Sequence, residues 1–275
     1  MSGGAVLITG ASSGIGEATA LHLRRGGFEV LAGVRKDEDA ERLRGQGVEP
    51  VKLDVTDRAS IEAARANLGE RPLAGLVNNA GVAVSAPLEF IPIDEFRKQL
   101  EINVVGQVAV TQVFLPALRA GRGRIVNMSS IGGRMALPLL GPYNASKFAL
   151  EAVSDSLRRE LRDQGIAVSV IEPGNVKTPI WQKGSAAADA MLADMPPEAE
   201  QRYGKMIEAL RRESRRAEQE TGVAPEEVAK AVAHALSARR PRTRYLVGFD
   251  AKSRAPLAKL LPDRLFDALI ARTLR

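Results

Sequence analysis

Residues 5–16 read Ala-Val-Leu-Ile-Thr-Gly-Ala-Ser-Ser-Gly-Ile-Gly. The apolar run from Ala5 to Thr9 is rich in β-branched residues and predicts a buried strand. Gly10, Gly14 and Gly16 then predict a tight turn, and Glu17-Ala18-Thr19-Ala20-Leu21-His22-Leu23 carries apolar residues at helical spacing. Strand, glycine-rich turn and helix form the context in which a backbone can cradle a dinucleotide. Glycine lets the chain bend sharply and lets a pyrophosphate come close. The helix N-terminus adds free N–H groups and the positive end of its dipole. Thr9, Gly10, Ser12, Ser13, Gly14, Ile15 and Gly16 are the candidate phosphate-binding residues on this reading.

The pattern repeats outward. Strands are expected to end near Gly33, Leu53, Asn78 and Asn127, each followed by a helical segment. A long helix is predicted over Ile93–Leu118, another from about Pro142 to Gln164, then a strand at Val168–Ile171. A helix from Pro225 to Ser237 and a strand at Thr243–Val247 close the series. Alternating strands and helices predict an α/β fold, one doubly wound parallel sheet with helices on both faces. Between residues 176 and 222 the rhythm is lost. That segment carries Trp181, Met191, Met195, Met206 and Pro196-Pro197. It follows a strand whose carboxyl end is where ligands bind in such sheets, so it reads as a helical substrate lid. The expected organisation is one domain over residues 1–250 with that lid, plus an amphipathic extension over 251–275.

Tyr143-Asn144-Ala145-Ser146-Lys147 is the chemical centre of the chain. Four residues apart on a helix, Tyr143 and Lys147 share a face. An ammonium beside a phenol favours the phenolate. Tyr143 falls in the first turn of its helix, where the dipole helps in the same direction. Ser129-Ser130 ends the preceding strand, and a hydroxyl there can hold a substrate oxygen next to the phenol. Those parts suffice to move a proton to or from an alcohol while a hydride moves elsewhere.

With TGASSGIG at 9–16, Asn78-Asn79-Ala80-Gly81, Ser130, Tyr143 and Lys147 all in order, the chain resembles the short-chain dehydrogenase/reductase family over about residues 4–250. The resemblance implies an NAD(P)-dependent oxidoreductase acting on an alcohol/carbonyl pair. Tyr143 would be the acid/base, Ser130 the substrate-orienting hydroxyl, and Lys147 the group that lowers the phenol pKa and holds the nicotinamide ribose. Asn103 would support Lys147 through a water. It also implies cofactor contacts from Asp54, Val55, Asn79, Ala80, Gly81, Pro173, Gly174, Val176 and Thr178. Val34 stands where members selective for NAD carry an aspartate, and Arg35 where members preferring NADP carry a base. An arginine suits a 2′-phosphate, so NADP is the expected cofactor, with NAD the alternative. The extended C-terminus and lid look most like members acting on lipophilic alcohols and ketones such as steroids or retinoids. The alternatives are a 3-oxoacyl-thioester reductase and a catalytically silent NADP-binding sensor. The family also implies a homodimer or homotetramer.

Composition excludes other chemistry. The chain has no cysteine, so disulfides and thiolate catalysis are ruled out, and a cytoplasmic location is expected. Its two histidines, His22 and His234, fall in helical patterns, and no metal site is expected. The net charge is +6, yet the arginines are interleaved with acids, as in Arg211-Arg212-Glu213-Ser214-Arg215-Arg216. That pattern reads as a solvated helix face rather than a nucleic-acid surface. No membrane-spanning stretch is expected. The tail from Ala255 to Arg275 alternates Leu/Ile with Arg/Lys at helical spacing, broken at Pro262, and could rest on a membrane surface or a partner.

Overall fold

The computed structural model describes residues 3–178, 180 and 188–273. Seven strands form one parallel sheet: β1 Gly3–Ile8, β2 Phe28–Val34, β3 Glu49–Lys52, β4 Leu73–Asn78, β5 Arg124–Met128, β6 Ala167–Pro173 and β7 Arg244–Val247, in the order β3-β2-β1-β4-β5-β6-β7. Trp181 lies outside the described residues.

The strands read as continuous apolar runs because both faces are covered. In β1, Val6 and Ile8 face a core with Leu23, Val30, Ile171, Val228 and Val232. Ala5 and Leu7 point the other way, into a core with Phe114, Leu118, Ile125 and Leu161. The first layer holds helices α1 (Gly14–Arg25) and α8 (Pro225–Ser237), packed on each other. The second holds α3 (Arg58–Leu68), α5 (Gly106–Gly121) and α6 (Gly141–Glu160). Helix α2 (Asp37–Gly45) links β2 to β3. The chain turns from leftward to rightward growth between β1 and β4, which opens a crevice at their carboxyl ends.

The segment predicted as one helix is α4 (Ile93–Leu100), a five-residue π turn at Glu101–Val105, then α5. Contrary to the expectation of no membrane-length stretch, residues 93–121 are long and apolar enough to cross a bilayer by length and composition. Gly, Thr, Gln and Pro interrupt the apolar run without adding charge. The fold uses this segment as a core helix: Phe114 and Leu118 are buried, as are the polar Asn103, Gln107 and Thr111.

Helix α6 begins one residue before Pro142, whose missing N–H costs nothing in a first turn. It ends at Glu160, and a 3₁₀ turn at Arg162–Gln164 completes the predicted span. Beyond β6 the insertion carries helical residues 188–193 and α7 (Pro197–Arg216). Its two ends meet where Val176 bridges Val223. The C-terminal helices are α9 (Phe249–Leu260) and α10 (Asp263–Thr273), separated at Leu261-Pro262 because proline holds its predecessor extended.

Candidate active site

Gly10 and Gly14 have φ of +63° and +60°, a region that disfavours side chains. A Cβ on Gly16 would overlap the Gly10 carbonyl and lie 2.5 Å from Asn79 Nδ2. The turn therefore admits no side chain at that point, which leaves its backbone open to a ligand. Ser13, before α1, is extended and makes no side-chain cap, so the first N–H groups of the helix have no side-chain acceptor there. These features fit a pyrophosphate.

The β4 end is stitched to this turn. Thr9 Oγ1 accepts from Asn79 N (3.0 Å) and Ala80 N (2.9 Å), and Asn79 Nδ2 donates to the carbonyls of Thr9 and Gly10 at 3.0 Å each. Gly81 lies against Asn103 Oδ1. Asp54 Oδ1 accepts from Thr56 N (3.0 Å) and Thr56 Oγ1 (2.7 Å), and its other oxygen is 3.8 Å from Arg35 Nη1. Burial opposes ionisation of that carboxyl, but the Thr56 hydrogen bonds and Arg35 outweigh it and hold the pKa below its ordinary value. Val55 is buried beside it. The Arg35 side chain stands open at the β2 end, free to meet a 2′-phosphate.

On the other side of the crevice Tyr143 and Lys147 are both buried, with Nζ 5.6 Å from the centre of the phenol ring. Lys147 Nζ donates to the Met128 carbonyl at 2.8 Å. Ser130 Oγ accepts from Gly132 N at 3.0 Å, lies 3.5 Å from the Pro173 carbonyl and hydrogen-bonds the phenol of Tyr143. The neighbouring Ser129 Oγ is buried without a partner among the described residues, so Ser130 is the serine at the phenol. Burial pushes the Tyr143 phenol above its ordinary pKa, and the Ser130 hydrogen bond recovers part of the shift. This reverses the expected direction. Burial also lowers the Lys147 ammonium to about 8, with Glu151 pulling it back up.

Asn103 sits in the π turn. Its Oδ1 accepts from Val82 N (2.9 Å), and its Nδ2 donates to Val82 O and Ser146 Oγ, each at 3.0 Å. Ser146 Oγ in turn donates to the Tyr143 carbonyl at 2.7 Å. The side chain of Asn103 therefore reaches α6 through Ser146, the residue before Lys147, and no direct bond to Lys147 is among the described contacts. π turns recur at functional sites. After β6, the Gly174 N–H donates to Val247 O. Asn175 N donates to Asp250 Oδ2 at 2.7 Å, and a Cβ on Gly174 would collide with that carboxylate. Val176 and Thr178 are buried.

Several partners were not apparent in the sequence. Asp250, the last residue of the expected domain, braces the 173–175 loop. Arg42 of α2 donates to the Ser12 carbonyl at 2.6 Å and pairs with Glu17, clamping the glycine turn. Asn78 Nδ2 bonds Asn127 Oδ1 and Thr111 Oγ1, each at 2.9 Å, a polar ladder across β4, β5 and α5. A clue existed only for the last, since Asn78 and Asn127 end adjacent strands.

A cleft of about 540 Å³ opens next to Tyr143, lined by Ala83, Pro87, Leu139, Leu140, Leu192 and Leu210 among others. Ala83, Leu140 and Leu210 also pack with Tyr143 itself. Met191 and Met195 pack the insertion onto Val84, Ala86 and Ile91.

A Rossmann-type sheet, a phosphate-fitting turn and a buried serine, tyrosine and lysine at one crevice define a nucleotide-dependent oxidoreductase. The chain belongs to the short chain dehydrogenase family, which it matches over residues 4–189. It is 37% identical to the 3-amino-tetrahydro-pyrrolizinone reductase of Xenorhabdus hominickii, covering 95% of this chain and 94% of the relative. It is 39% identical to retinol dehydrogenase 5 of Mus musculus, covering 96% and 87%. A short chain dehydrogenase from Burkholderia cenocepacia, solved with NADP, superposes with a TM-score of 0.74 at 28% identity, over 99% of this chain and 98% of the other. The protein is an NAD(P)-dependent oxidoreductase that interconverts an alcohol and its ketone or aldehyde.

Proposed function

We propose that Tyr143 is the general acid/base of this reaction, acting on a lipophilic alcohol or carbonyl held in the cleft. The observation that carries the reading is the burial of Tyr143 beside Lys147, with the Ser130 hydroxyl bonded to the phenol, packed on Ala83, Leu140 and Leu210 of a largely apolar cleft. In the reductive direction the phenol O–H gives its proton to the substrate oxygen. Ser130 donates a second hydrogen bond to that oxygen, steadying the charge that develops there. Lys147 favours the phenolate left behind. The nicotinamide, when bound, supplies or accepts the hydride. Thr9 to Gly16, Asn79 to Gly81 and Asp54-Val55 would hold the nucleotide, and Pro173 to Thr178 would border its nicotinamide end. The name of retinol dehydrogenase 5 agrees with an apolar substrate.

Residues 1–250 are read as one catalytic domain whose insertion at 176–222 is a substrate lid, and 251–275 as its extension. Arg35 is read as the 2′-phosphate grip, with NADP the preferred cofactor. Ile93, Val105 and Phe148 are exposed apolar residues on α4, the π turn and α6, and that strip is read as the contact of a homodimer or homotetramer. In α9 and α10, exposed Phe249, Leu257, Leu260, Leu265 and Leu269 alternate with Lys252, Arg254, Lys259 and Arg264. This pattern supports docking on an anionic membrane surface. The absence of cysteine supports the reducing cytoplasmic side.

Four outcomes are expected. Tyr143→Phe lowers kcat/KM by about 10²- to 10⁴-fold in an assay following the reduced nicotinamide, with nucleotide affinity retained; an active variant removes Tyr143 from the role. Arg35→Ala lowers kcat/KM with NADPH by about 10- to 100-fold, the scale of a charge-assisted hydrogen bond, and leaves NADH nearly untouched; equal losses would refute the grip. Sedimentation velocity gives a dimer or tetramer that Phe148→Glu dissociates; a monomeric parent chain refutes the strip. The full chain co-sediments with phosphatidylserine vesicles, and a chain ending at Leu261 does not; equal partitioning clears α10 of that role.

A further inference from the structure

Behind the crevice lies a cluster of charged side chains that the reaction does not use. Glu172 stands just before Pro173, and its side chain is 1% exposed. Its Oε1 accepts from Arg134 Nε (3.0 Å) and Nη2 (2.7 Å) and lies 3.3 Å from Arg244 Nε. The same Arg244 Nε donates to Glu151 Oε2 at 3.1 Å, and Arg244 Nη2 donates to Asp155 Oδ1 at 2.9 Å. Arg244 is thus shared among three carboxylates. Asp155 draws further on Arg158 and Arg159 of its own helix. Glu151 and Glu172 are left to Arg244 and Arg134, and Glu151 Oε1 is buried with no partner among the described residues.

Each arm of the cluster ends on a reacting element. Arg134 follows the turn that Ser130 caps. Glu172 precedes the carbonyl of Pro173, which lies 3.5 Å from Ser130 Oγ. Glu151 is one turn beyond Lys147 on α6. Two buried carboxyl groups on either side of one N–H cannot both ionise freely, and the cheaper state keeps one proton between them. That proton also gives the pair an O–H donor where two carboxylates would have none.

We infer that Glu151 and Glu172 share one proton and act as a positioning pair, fixing the Ser130 turn and the Lys147 helix against β6 and setting the charge behind Lys147. Burial and then the neighbouring Glu151 push Glu172 up to about 7. The facing groups are Arg134, Arg244, Asp155 and Lys147. As pH rises through that value the pair gains one negative charge, which raises the proton affinity of Lys147 and keeps the ammonium charged. The inference rests on the reading of Ser130, Tyr143 and Lys147 as the acting groups.

The test is a carbon-13 titration of glutamate carboxyls in the whole protein, beside the pH profile of kcat. In the parent chain the Glu172 carboxyl titrates near pH 7, and the kcat profile carries a step at the same pH. Glu172→Gln removes both. Glu151→Gln moves both to lower pH, since burial of Glu172 remains, and also moves the Lys147 limb, near 8 in the parent, to lower pH. Glutamates that all titrate in the ordinary carboxylate range, a step that survives in folded Glu172→Gln, or a step that stays in place in folded Glu151→Gln, overturns the pair. The carboxyl titration needs no turnover, so it stands even if Tyr143→Phe proves active, an outcome that would fell the acid/base reading alone. Should Glu172→Gln fail to fold, the parent titration and Glu151→Gln decide the matter.

Discussion

The site depends on one buried ammonium. Lys147 is 6% exposed, and its Nζ donates to the carbonyl of Met128, the last residue of β5, at 2.8 Å. A charge at that depth is tolerated only where its donors are satisfied and opposite charge stands near. The bond therefore docks α6 on the end of β5 with little freedom. Tyr143, one turn earlier, is carried against Ser130, two residues beyond Met128. Glu151, one turn later, is carried toward Arg244 and Glu172. Substrate side and supporting side are two ends of the same helix, and the lysine between them sets its depth.

Much of this was legible in the sequence for a physical reason. Motifs that depend on backbone shape are written in residue type, so the glycine turn at 10–16 could be read directly, as could the parallel sheet from its continuous apolar strands. The i,i+4 spacing of Tyr143 and Lys147 was equally plain. Contacts that depend on tertiary approach were not. Asp250 reaches Asn175 across 75 positions and Arg42 reaches Ser12 across 30, and neither pair leaves a local pattern. The π turn around Asn103 is invisible to periodicity because it adds one residue to an otherwise regular helix. The membrane-length character of residues 93–121 was missed by counting consecutive apolar residues. Small polar residues break such a run, while the charges of the segment gather in its first turns and leave a long stretch after Glu101 with few of them.

The insertion shows how weak and strong interactions divide their tasks. Over the cleft it is held by apolar packing of Met191 and Met195 on Val84, Ala86 and Ile91. An exposed ion pair, Arg202 with Glu89, joins it to the body, while Arg211 and Asp189 pair within the insertion. Exposed pairs contribute about 0–1 kcal/mol each and weaken with salt. The apolar contacts therefore supply most of the attachment, and the ion pairs little of it. Methionine suits such a seam because its unbranched side chain repacks at little cost.

The phenol itself carries the most instructive disagreement. Spacing alone suggests that Lys147 lowers the pKa of Tyr143, yet in the fold the phenol is raised. The same burial that brings the two together removes water from both. Desolvation disfavours the phenolate and the ammonium alike, which is why Lys147 falls to about 8 while Tyr143 rises. The ammonium also lies over the ring face, 5.6 Å from its centre, and donates to the Met128 carbonyl, so its field reaches the phenol oxygen only in part. A protonated phenol is the form that donates to a carbonyl, so the raised pKa favours the state that the proposed reductive step would use. Oxidation of an alcohol needs the phenolate, and hence a fully charged Lys147. Any anion that holds the ammonium charged against desolvation, as Glu151 does, favours the phenolate that the proposed oxidative step would use. The protonation of the proposed acid/base is then set from behind the lysine as much as from the cleft in front of the tyrosine.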